Sequence, residues 1–407
     1  MKSNRLANCS LYYAISIFAI TFTIASPIII EIGGSASQDI SNMGLLMTLF
    51  STGFVTGSLL TSILTRFFHK SLILNIAMLI QTIFILIFGF SISFTPMLLI
   101  YFVIGMCGGF IETLVSLILP EINKGESGYY MNISQVFFGI GAFAGPYISS
   151  LIINAGFNWK FSYFLLAFLA FLNFLFFSIL RIKYKNKYFS NNKNITVELK
   201  NNESKSKIGN STDGIENSAI KIFILLSFAM ILYVASEDGL NAWIPTFFRM
   251  EKNYSPYQAS QVLSFYWLAM AVGRLLIGLL SKKINLMLLT IVISIGGFLF
   301  TLAGILVHNR YLNLIFFIMI GLFFSGIWPN IVALSMEYLK YDKRRDTFVS
   351  LIISFGGIGA LMAPWIVGRI FKVSNLFIGL LSCALFMLIE IILLLFLQRS
   401  LRLKNIN

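Results

Sequence analysis

The feature that most constrains this chain is a series of twelve apolar stretches, each long enough to cross a lipid bilayer. A helix rises about 1.5 Å per residue, so about 20 apolar residues cross the hydrocarbon layer. The stretches lie near residues 10–31, 43–64, 71–90, 96–119, 132–154, 160–181, 220–246, 258–280, 286–307, 311–337, 346–370 and 374–397. Because backbone polar groups must be satisfied inside the bilayer, such segments fold as helices. We therefore predict an all-α membrane protein with twelve transmembrane helices.

The overall composition supports a membrane protein and divides the chain into two parts. Hydrophobic residues make up 57% of the 407 residues and charged residues 11%, which is about half the charged fraction of an ordinary soluble domain. One polar segment, rich in Asn, Lys and Ser, separates six apolar stretches from six. We predict an N-terminal six-helix bundle over 1–181, a cytoplasmic linker over 182–219, and a C-terminal six-helix bundle over 220–407.

The two predicted bundles carry the same short sequence phrase. Gly139–Ala142 (GIGA) is followed by Pro146, and Gly357–Ala360 (GIGA) is followed by Pro364. Further matches at a constant offset pair Gly57 with Gly273, Gly105 with Gly321, and Glu121 with Glu337. A repeat of this length indicates duplication, and parallel halves are a common plan of membrane transporters. We therefore expect the two bundles to be pseudo-symmetric.

The distribution of lysine and arginine predicts the orientation of the chain. With both termini in the cytoplasm, most basic residues lie on that side, including the cluster from Arg181 to Lys207. The opposite side receives Lys160, Arg249, Lys252, Arg310, Arg369 and Lys372. This bias is the positive-inside pattern of a multi-pass protein of the cell (inner) membrane. It accounts for the net charge of +14 without a nucleic-acid partner.

The residue types needed for several other functions do not form a recognisable pattern. Cys9, Cys107 and Cys383 have no pairing or metal-binding spacing, and His69 and His308 lie at span ends on opposite sides of the membrane. No phosphate-binding loop is visible. We therefore expect no enzyme activity, no metal and no cofactor. The expected partners are a small-molecule substrate, protons and membrane lipid, and we expect a monomer.

Five charged residues fall well inside predicted spans, away from the span ends, where a charge costs at least about 2.5 to 3.5 kcal/mol. They are Glu112, Glu237, Asp238, Arg274 and Glu390. Glu112 is either a carboxyl that takes up and releases a proton or a carboxylate permanently paired with an arginine or with helix-end donors. Arg274 is expected to make a structural or gating contact or ion pair. Glu390 is expected to be peripheral or paired.

Polar and aromatic residues concentrate in the fifth, seventh and tenth spans. The candidates for a substrate cavity are Asn132, Gln135, Tyr233, Glu237, Asp238, Asn241, Trp243, Trp328 and Asn330. Pro245 adds a helix breaker to the seventh span, and interrupted helices at bilayer depth usually line a cavity. Trp243 fits an interfacial aromatic belt equally well. Asn132 and Gln135 fit either the cavity or hydrogen bonds between helices.

Two sequence motifs resemble those of a known transporter family. Gly105–Thr113 (GMCGGFIET), followed by Pro120-Glu121 and then by Met131–Gln135 (MNISQ), resembles the fourth and fifth helices of the fucose:proton symporter (fucose permease) family, within the major facilitator superfamily. The resemblance implies proton symport of a sugar-like solute. It implies that Glu112 is the protonatable glutamate, that Asn132 and Gln135 line the sugar cavity, and that Arg274 is the arginine of the eighth helix.

The leading prediction is thus a proton-coupled symporter of a small polar solute, a sugar or related metabolite, that works by alternating access. Two alternatives remain open. The Gly141–Pro146 run resembles a motif of drug and metabolite antiporters, which favours a proton-antiport exporter. A sensor that keeps the same fold and does not transport would differ by binding its solute without flux.

Overall fold

The computed structural model describes residues 2–123, 127–183, 213–281, 283–340, 342 and 344–404. Within these residues, twelve helical segments are long and apolar enough to cross a membrane. The predicted all-α architecture of two pseudo-symmetric six-helix bundles is confirmed. Most of the predicted linker lies outside the described residues.

The helices follow one another with short connections. They are α1 (Lys2–Thr23), α2 (Ile29–Ser35), α3 (Gly44–Leu64), α4 (Lys70–Phe90), α5 (Phe94–Ile122), α6 (Ser127–Asn154), α7 (Lys160–Lys183), α8 (Asp213–Met250), α9 (Pro256–Leu280), α10 (Leu286–Leu306), α11 (Arg310–Phe324), α12 (Ile327–Tyr338), α13 (Arg345–Val373) and α14 (Leu376–Lys404). The first span consists of α1 and α2, and the tenth span of α11 and α12. We call the side that holds Lys2 and Lys404 the terminal face and the other side the distal face.

The helix interruptions differ from the prediction. Helix α8 continues through Pro245, so the predicted interruption of the seventh span is wrong. Residues 239–248 of α8 are all buried, and this packing holds the helix together although proline removes one backbone hydrogen bond. The first span is interrupted instead, by a 3₁₀ turn over Ser26–Ile28 that contains Pro27. The tenth span is interrupted between Phe324 and Ile327.

Equivalent helices pack together in both bundles. In the N-terminal bundle α1 packs against α6, α3 against α5, and α4 against α7; in the C-terminal bundle the corresponding pairs are α8 with α13, α9 with α11, and α10 with α14. Glycines at repeated positions allow close approach. A Cβ at Gly105 would overlap the carbonyl oxygen of Phe50, and a Cβ at Gly321 would overlap that of Tyr266. Small residues at such crossings are typical of membrane helices.

The two bundles meet along two pairs of helices. Helix α6 packs against α9, and α3 packs against α13. Aromatic contacts follow the first pair, with Phe143 against Phe265 and Phe138 against Trp267. The space between the bundles is therefore bordered by helices from both halves.

Candidate functional site

Two acidic residues interrupt an otherwise buried stretch of α8. Between positions 233 and 248, Glu237 and Asp238 are the residues that are partly exposed, while the others are buried. Ile224 and Phe228 are among the exposed residues of the same helix; around the helix axis they lie about 140° and 180° from Glu237, but only about 40° and 80° from Asp238. The Glu237 side chain therefore leaves α8 on the side opposite these exposed residues, whereas the Asp238 side chain leaves it closer to them.

Arg274 connects the two bundles at the centre of the molecule. Its Nη1 atom donates a hydrogen bond of 3.0 Å to Oε1 of Gln135 in α6. Its guanidinium carbon lies 5.8 Å from the centre of the Phe138 ring, which is within the range of a cation–π contact. Arg274 also interacts electrostatically with Glu112 and Glu237. Arg274, the predicted gating or ion-pair residue, thus lies near a carboxyl group of each bundle.

Glu112 lies on α5 and faces the same region. It is partly exposed, as is Thr113, while the residues on either side of this pair are buried. In the described part of the chain no basic side chain lies within the 4 Å of Glu112 that defines an ion pair. Because Arg274 is bound to the neutral Gln135 side chain instead, the Glu112 carboxyl is left accessible.

An aromatic layer adjoins these charged groups. Trp267 of α9 contacts Phe22 and Phe138 of the N-terminal bundle, with ring centres 5.8 and 5.9 Å apart. The indole nitrogen of Trp267 donates a hydrogen bond of 2.9 Å to Oδ1 of Asn241. Asn241 is buried and orients Trp267. Sequence reasoning missed Trp267 because, unlike Trp243 and Trp328, it has no Asn or Pro within two residues along the chain.

Two tyrosines stand beside the acidic pair. The Tyr233 hydroxyl donates a hydrogen bond of 2.9 Å to the carbonyl oxygen of Phe324, which satisfies a backbone group where α11 ends. The Tyr266 hydroxyl is fully buried and makes no hydrogen bond within the described residues. It interacts electrostatically with Glu237, Asp238 and Arg274. An unpartnered hydroxyl thus lies near the acidic pair of α8 and near Arg274.

The distal side of the cavity is closed by polar contacts between the bundles. The Ser26 hydroxyl donates to the carbonyl oxygens of Asn241 and Ala242, at oxygen–oxygen distances of 2.6 and 2.9 Å. Arg249 and Glu31 form a two-pronged ion pair with N–O distances of 2.8 and 2.9 Å. We call this set of contacts the distal seal.

The ion pair of the distal seal was missed although a signal was present. Glu31 and Arg249 are separated by 218 residues, which is also the offset between Gly139 and Gly357 in the repeated phrase. At this offset of 218, Glu31 and Arg249 are matching positions and carry opposite charges. In a pseudo-symmetric molecule, equivalent helix ends can meet near the axis between the halves.

The remaining cavity candidates lie elsewhere or are incompletely described. Trp243 is fully buried, and its indole nitrogen donates a hydrogen bond of 3.0 Å to the Pro364 carbonyl oxygen. Asn330 is buried, and its Nδ2 atom has no hydrogen-bond partner within the described residues. Trp328 is 38% exposed. The side chain of Asn132 is outside the described part of the structure. Their assignment to the substrate cavity stays a prediction.

Comparison with known proteins identifies the family. The profile of the Major Facilitator Superfamily matches residues 9–340. The chain belongs to the Major Facilitator Superfamily. This confirms the superfamily-level resemblance seen in the sequence, and proteins of this superfamily are membrane transporters rather than enzymes. The fucose permease resemblance within the superfamily stays a prediction.

Relatives of this superfamily member share its length at low identity. The chain is 23% identical over 369 residues to the glucose/mannose transporter GlcP of Bacillus subtilis (strain 168), covering 90% of this chain and 88% of that one. It is 22% identical over 383 residues to a TsgA homolog of Buchnera aphidicola subsp. Baizongia pistaciae, covering 93% and 92%.

Solved structures of Major Facilitator Superfamily transporters share the fold. A bacterial homolog of the human lysosomal transporter Spinster, inward-facing and occupied, superimposes with a TM-score of 0.76 at 13% identity, covering 97% of this chain and 96% of that one. A D-xylose-proton symporter superimposes with a TM-score of 0.76 at 13% identity, covering 96% of each chain. These likenesses concern the fold.

Glu390 lies on α14 in the C-terminal bundle. It is fully buried, so the expectation of a peripheral position is wrong. Its Oε1 atom accepts a hydrogen bond of 3.1 Å from the Ser294 hydroxyl of α10, and its Oε2 atom has no partner within the described residues. The partner is thus a hydroxyl group of another helix, which the sequence around Glu390 could not indicate.

Proposed function

We propose that this chain is a proton-coupled symporter of a small polar solute, a sugar or related metabolite, and that Glu112 carries the proton. The membership of the superfamily supports transport of a small molecule. A relative is named a glucose/mannose transporter, and a protein of the same fold is named a D-xylose-proton symporter. We further propose that the terminal face is cytoplasmic and that the cell membrane holds the protein as a monomer.

The proposed proton role rests on the fact that Arg274 binds Gln135 and not Glu112. Arg274 hydrogen-bonds to the neutral Gln135, and Glu112 has no basic group within 4 Å in the described residues. A carboxyl group at bilayer depth without a bound cation can exchange a proton instead. Arg274 belongs to the C-terminal bundle and Glu112 to the N-terminal bundle, so rocking of the bundles changes their separation and thereby the affinity of Glu112 for a proton.

The proton role can be tested with Glu112→Gln, which keeps the shape of the side chain and removes its ionisation. We expect gradient-driven accumulation of labelled solute in proteoliposomes to be lost, while exchange of solute at equal concentrations on both sides continues. Glu337→Gln is the matched control, because Glu337 is an exposed acid at the end of α12. Full accumulation by Glu112→Gln would contradict the proposal.

The structure gives the antiporter-like motif another role. A Cβ at Gly141 would overlap the carbonyl oxygen of Ser16, and a Cβ at Gly145 would overlap the hydroxyl of Thr23. The glycines therefore serve the close packing of α6 on α1, which import and export both require. The direction of transport can be measured by comparing right-side-out and inverted vesicles.

A further inference from the structure

Trp267 joins the two bundles by two different kinds of contact. Its indole nitrogen donates a hydrogen bond of 2.9 Å to Oδ1 of Asn241 in α8, within the C-terminal bundle. Its ring meets Phe22 of α1 and Phe138 of α6, in the N-terminal bundle, at centre distances of 5.8 and 5.9 Å. Both ring contacts are edge-on, an arrangement that aromatic pairs favour. Trp267 is therefore anchored in one bundle and packed against the other.

Trp267 lies between the centre of the molecule and the distal seal. Because α9 begins at the distal face, the seven residues from Trp267 to Arg274 place the tryptophan about 10 Å on the distal side of the arginine. Along α8, the eight residues from Asn241 to Arg249 of the distal seal span about 12 Å. The Asn241 carbonyl oxygen itself accepts from Ser26 of the seal. Trp267 is 3% exposed, so neighbouring groups enclose its ring at this level.

The duplication of the chain provides no counterpart of this tryptophan. At the offset of 216 that pairs Gly57 with Gly273, position 267 corresponds to Ser51 of α3. Ser51 is buried, and its short side chain has no ring to pack between the bundles. The aromatic junction is therefore particular to the C-terminal bundle, and the pseudo-symmetry of the fold does not account for it.

We propose that Trp267 is a gate on the distal side and that Asn241 is its positioning residue. When the distal side opens, the ring leaves Phe22 and Phe138, because these belong to the bundle that moves away. The hydrogen bond to Asn241 stays, because α8 and α9 pack together within one bundle. A buried indole N–H group without an acceptor is unfavourable, so this bond fixes the direction of the ring. The inference rests on the alternating access of the proposed function, and not on its proton or its solute.

Removing the ring tests the gate. Trp267→Ala deletes both aromatic contacts between the bundles and should raise the ratio of distally open to closed molecules about 5- to 150-fold. The readout is the distance between spin labels at Asp39 and Glu251, in the full chain with its three cysteines replaced by alanine. Trp365→Ala is the matched control, because Trp365 is 46% exposed and contacts Arg369 of its own helix. A distance distribution that Trp267→Ala leaves unchanged would overturn the inference.

A double-variant cycle tests whether Asn241 acts through Trp267. Asn241→Leu removes the acceptor and keeps a side chain of similar size, so it should favour opening by a smaller factor than Trp267→Ala. Trp267→Phe keeps a ring and has no N–H group, so Asn241→Leu should have no further effect in that background. An asparagine that only supports the fold would add the same change in both backgrounds. That result, or no effect of Asn241→Leu in the wild type, overturns its positioning role.

Fluorine NMR follows the ring in place, and so tests the gate even if Trp267→Ala does not fold. The chain has five tryptophans, and in protein labelled with fluorinated tryptophan the signal of Trp267 is the one absent from Trp267→Phe. We expect this signal to be insensitive to heavy water in the wild type, since the ring is buried. It should become sensitive in Glu31→Arg, in which two cations face each other in the distal seal. A signal that stays insensitive although the labels report opening overturns the inference.

The same variants separate this inference from the proposed function. If Trp267→Ala opens the distal side and Glu112→Gln still accumulates solute, the gate stands and the proton role fails. If neither Trp267→Ala nor Glu31→Arg lengthens the label distance, the gate and the alternating access fail together. If Glu31→Arg lengthens it and Trp267→Ala does not, the gate alone is overturned.

Discussion

At the scale of single residues, the acids within the membrane spans differ in their exposure. Glu112, Glu237 and Asp238 are partly exposed. Glu390 is fully buried between α14 and α10 and is bound through one oxygen to Ser294. Its position predicts a role in packing rather than in transport.

The packing role of Glu390 can be tested by comparing an amide with a truncation. Glu390→Gln keeps the size of the side chain and an oxygen that accepts from Ser294, so we expect the free energy of unfolding to change by less than about 1 kcal/mol. Glu390→Ala leaves a cavity and should cost about 2 to 5 kcal/mol. Both are measured by denaturant unfolding in detergent. If the amide is as damaging as the truncation, the charge of Glu390 matters.

At the scale of helices, glycines determine how closely the bundles meet on the distal side. A Cβ at Gly44 of α3 would overlap the carbonyl oxygen of Pro364, and a Cβ at Gly368 of α13 would approach the Ser41 carbonyl oxygen to 2.6 Å. Trp243 fills the same junction, because its indole nitrogen donates to the Pro364 carbonyl oxygen. Helices α3 and α13 can therefore close on the distal side only with glycine at these positions.

A methyl group at Gly44 should therefore favour opening of the distal side. Gly44→Ala is expected to lengthen the distance between spin labels at Asp39 and Glu251, in a background whose three cysteines are replaced by alanine. Gly34→Ala is the matched control, because no atom lies within 4 Å of a Cβ placed there. An unchanged distance distribution in Gly44→Ala would show that the closure does not depend on this contact.

The sequence predicts the helices well and their contacts poorly. Apolar length placed the spans at 71–90 and 286–307, close to the observed Lys70–Phe90 and Leu286–Leu306, because the bilayer sets the length of a helix whatever its neighbours are. Proline alone could not locate the interruptions. Pro245 is held within α8 by packing on all sides, whereas at the interruption after Phe324 the Tyr233 hydroxyl of another helix donates to the Phe324 carbonyl oxygen.

The sequence predicts several residues of the candidate site but not the contacts between them. Charged residues in an apolar span are visible in a sequence, so Glu112, Glu237, Asp238 and Arg274 could be selected individually. Their mutual arrangement could not be, since the Arg274–Gln135 hydrogen bond joins residues 139 positions apart in different bundles. Tyr266 and Trp267 acquire their significance from neighbours on α8 and α6, which the sequence does not specify.

At the scale of the whole molecule, the described residues make more polar contacts within each bundle than between the bundles. Asn8 and Asn123 exchange two hydrogen bonds, of 3.0 and 2.9 Å, and tie α1 to the end of α5 within the N-terminal bundle. Between the bundles, the ion pair of Glu31 and Arg249 is the charged contact of the distal seal. This arrangement suits bundles that move as rigid bodies.

Reversing the charges of the distal seal tests its contribution to the conformational equilibrium. Glu31→Arg places two cations together and should shift the equilibrium towards distal opening by about 1.5 to 3 kcal/mol, which corresponds to about a 10- to 150-fold change. The double variant Glu31→Arg/Arg249→Glu should restore most of the closed population. Distances between labels at Asp39 and Glu251 report both, and a double variant as open as the single variant would contradict a role for the pair.

The same ion pair has a consequence for the manner of opening. Its side chains are 15% and 22% exposed, so the attraction between them is strong while little water surrounds them. Once the helix ends separate slightly, water enters, hydrates both ions and weakens what attraction is left. Partial separation is then the least stable arrangement. The distal entrance should therefore open in a two-state manner, with few molecules in a partly open conformation.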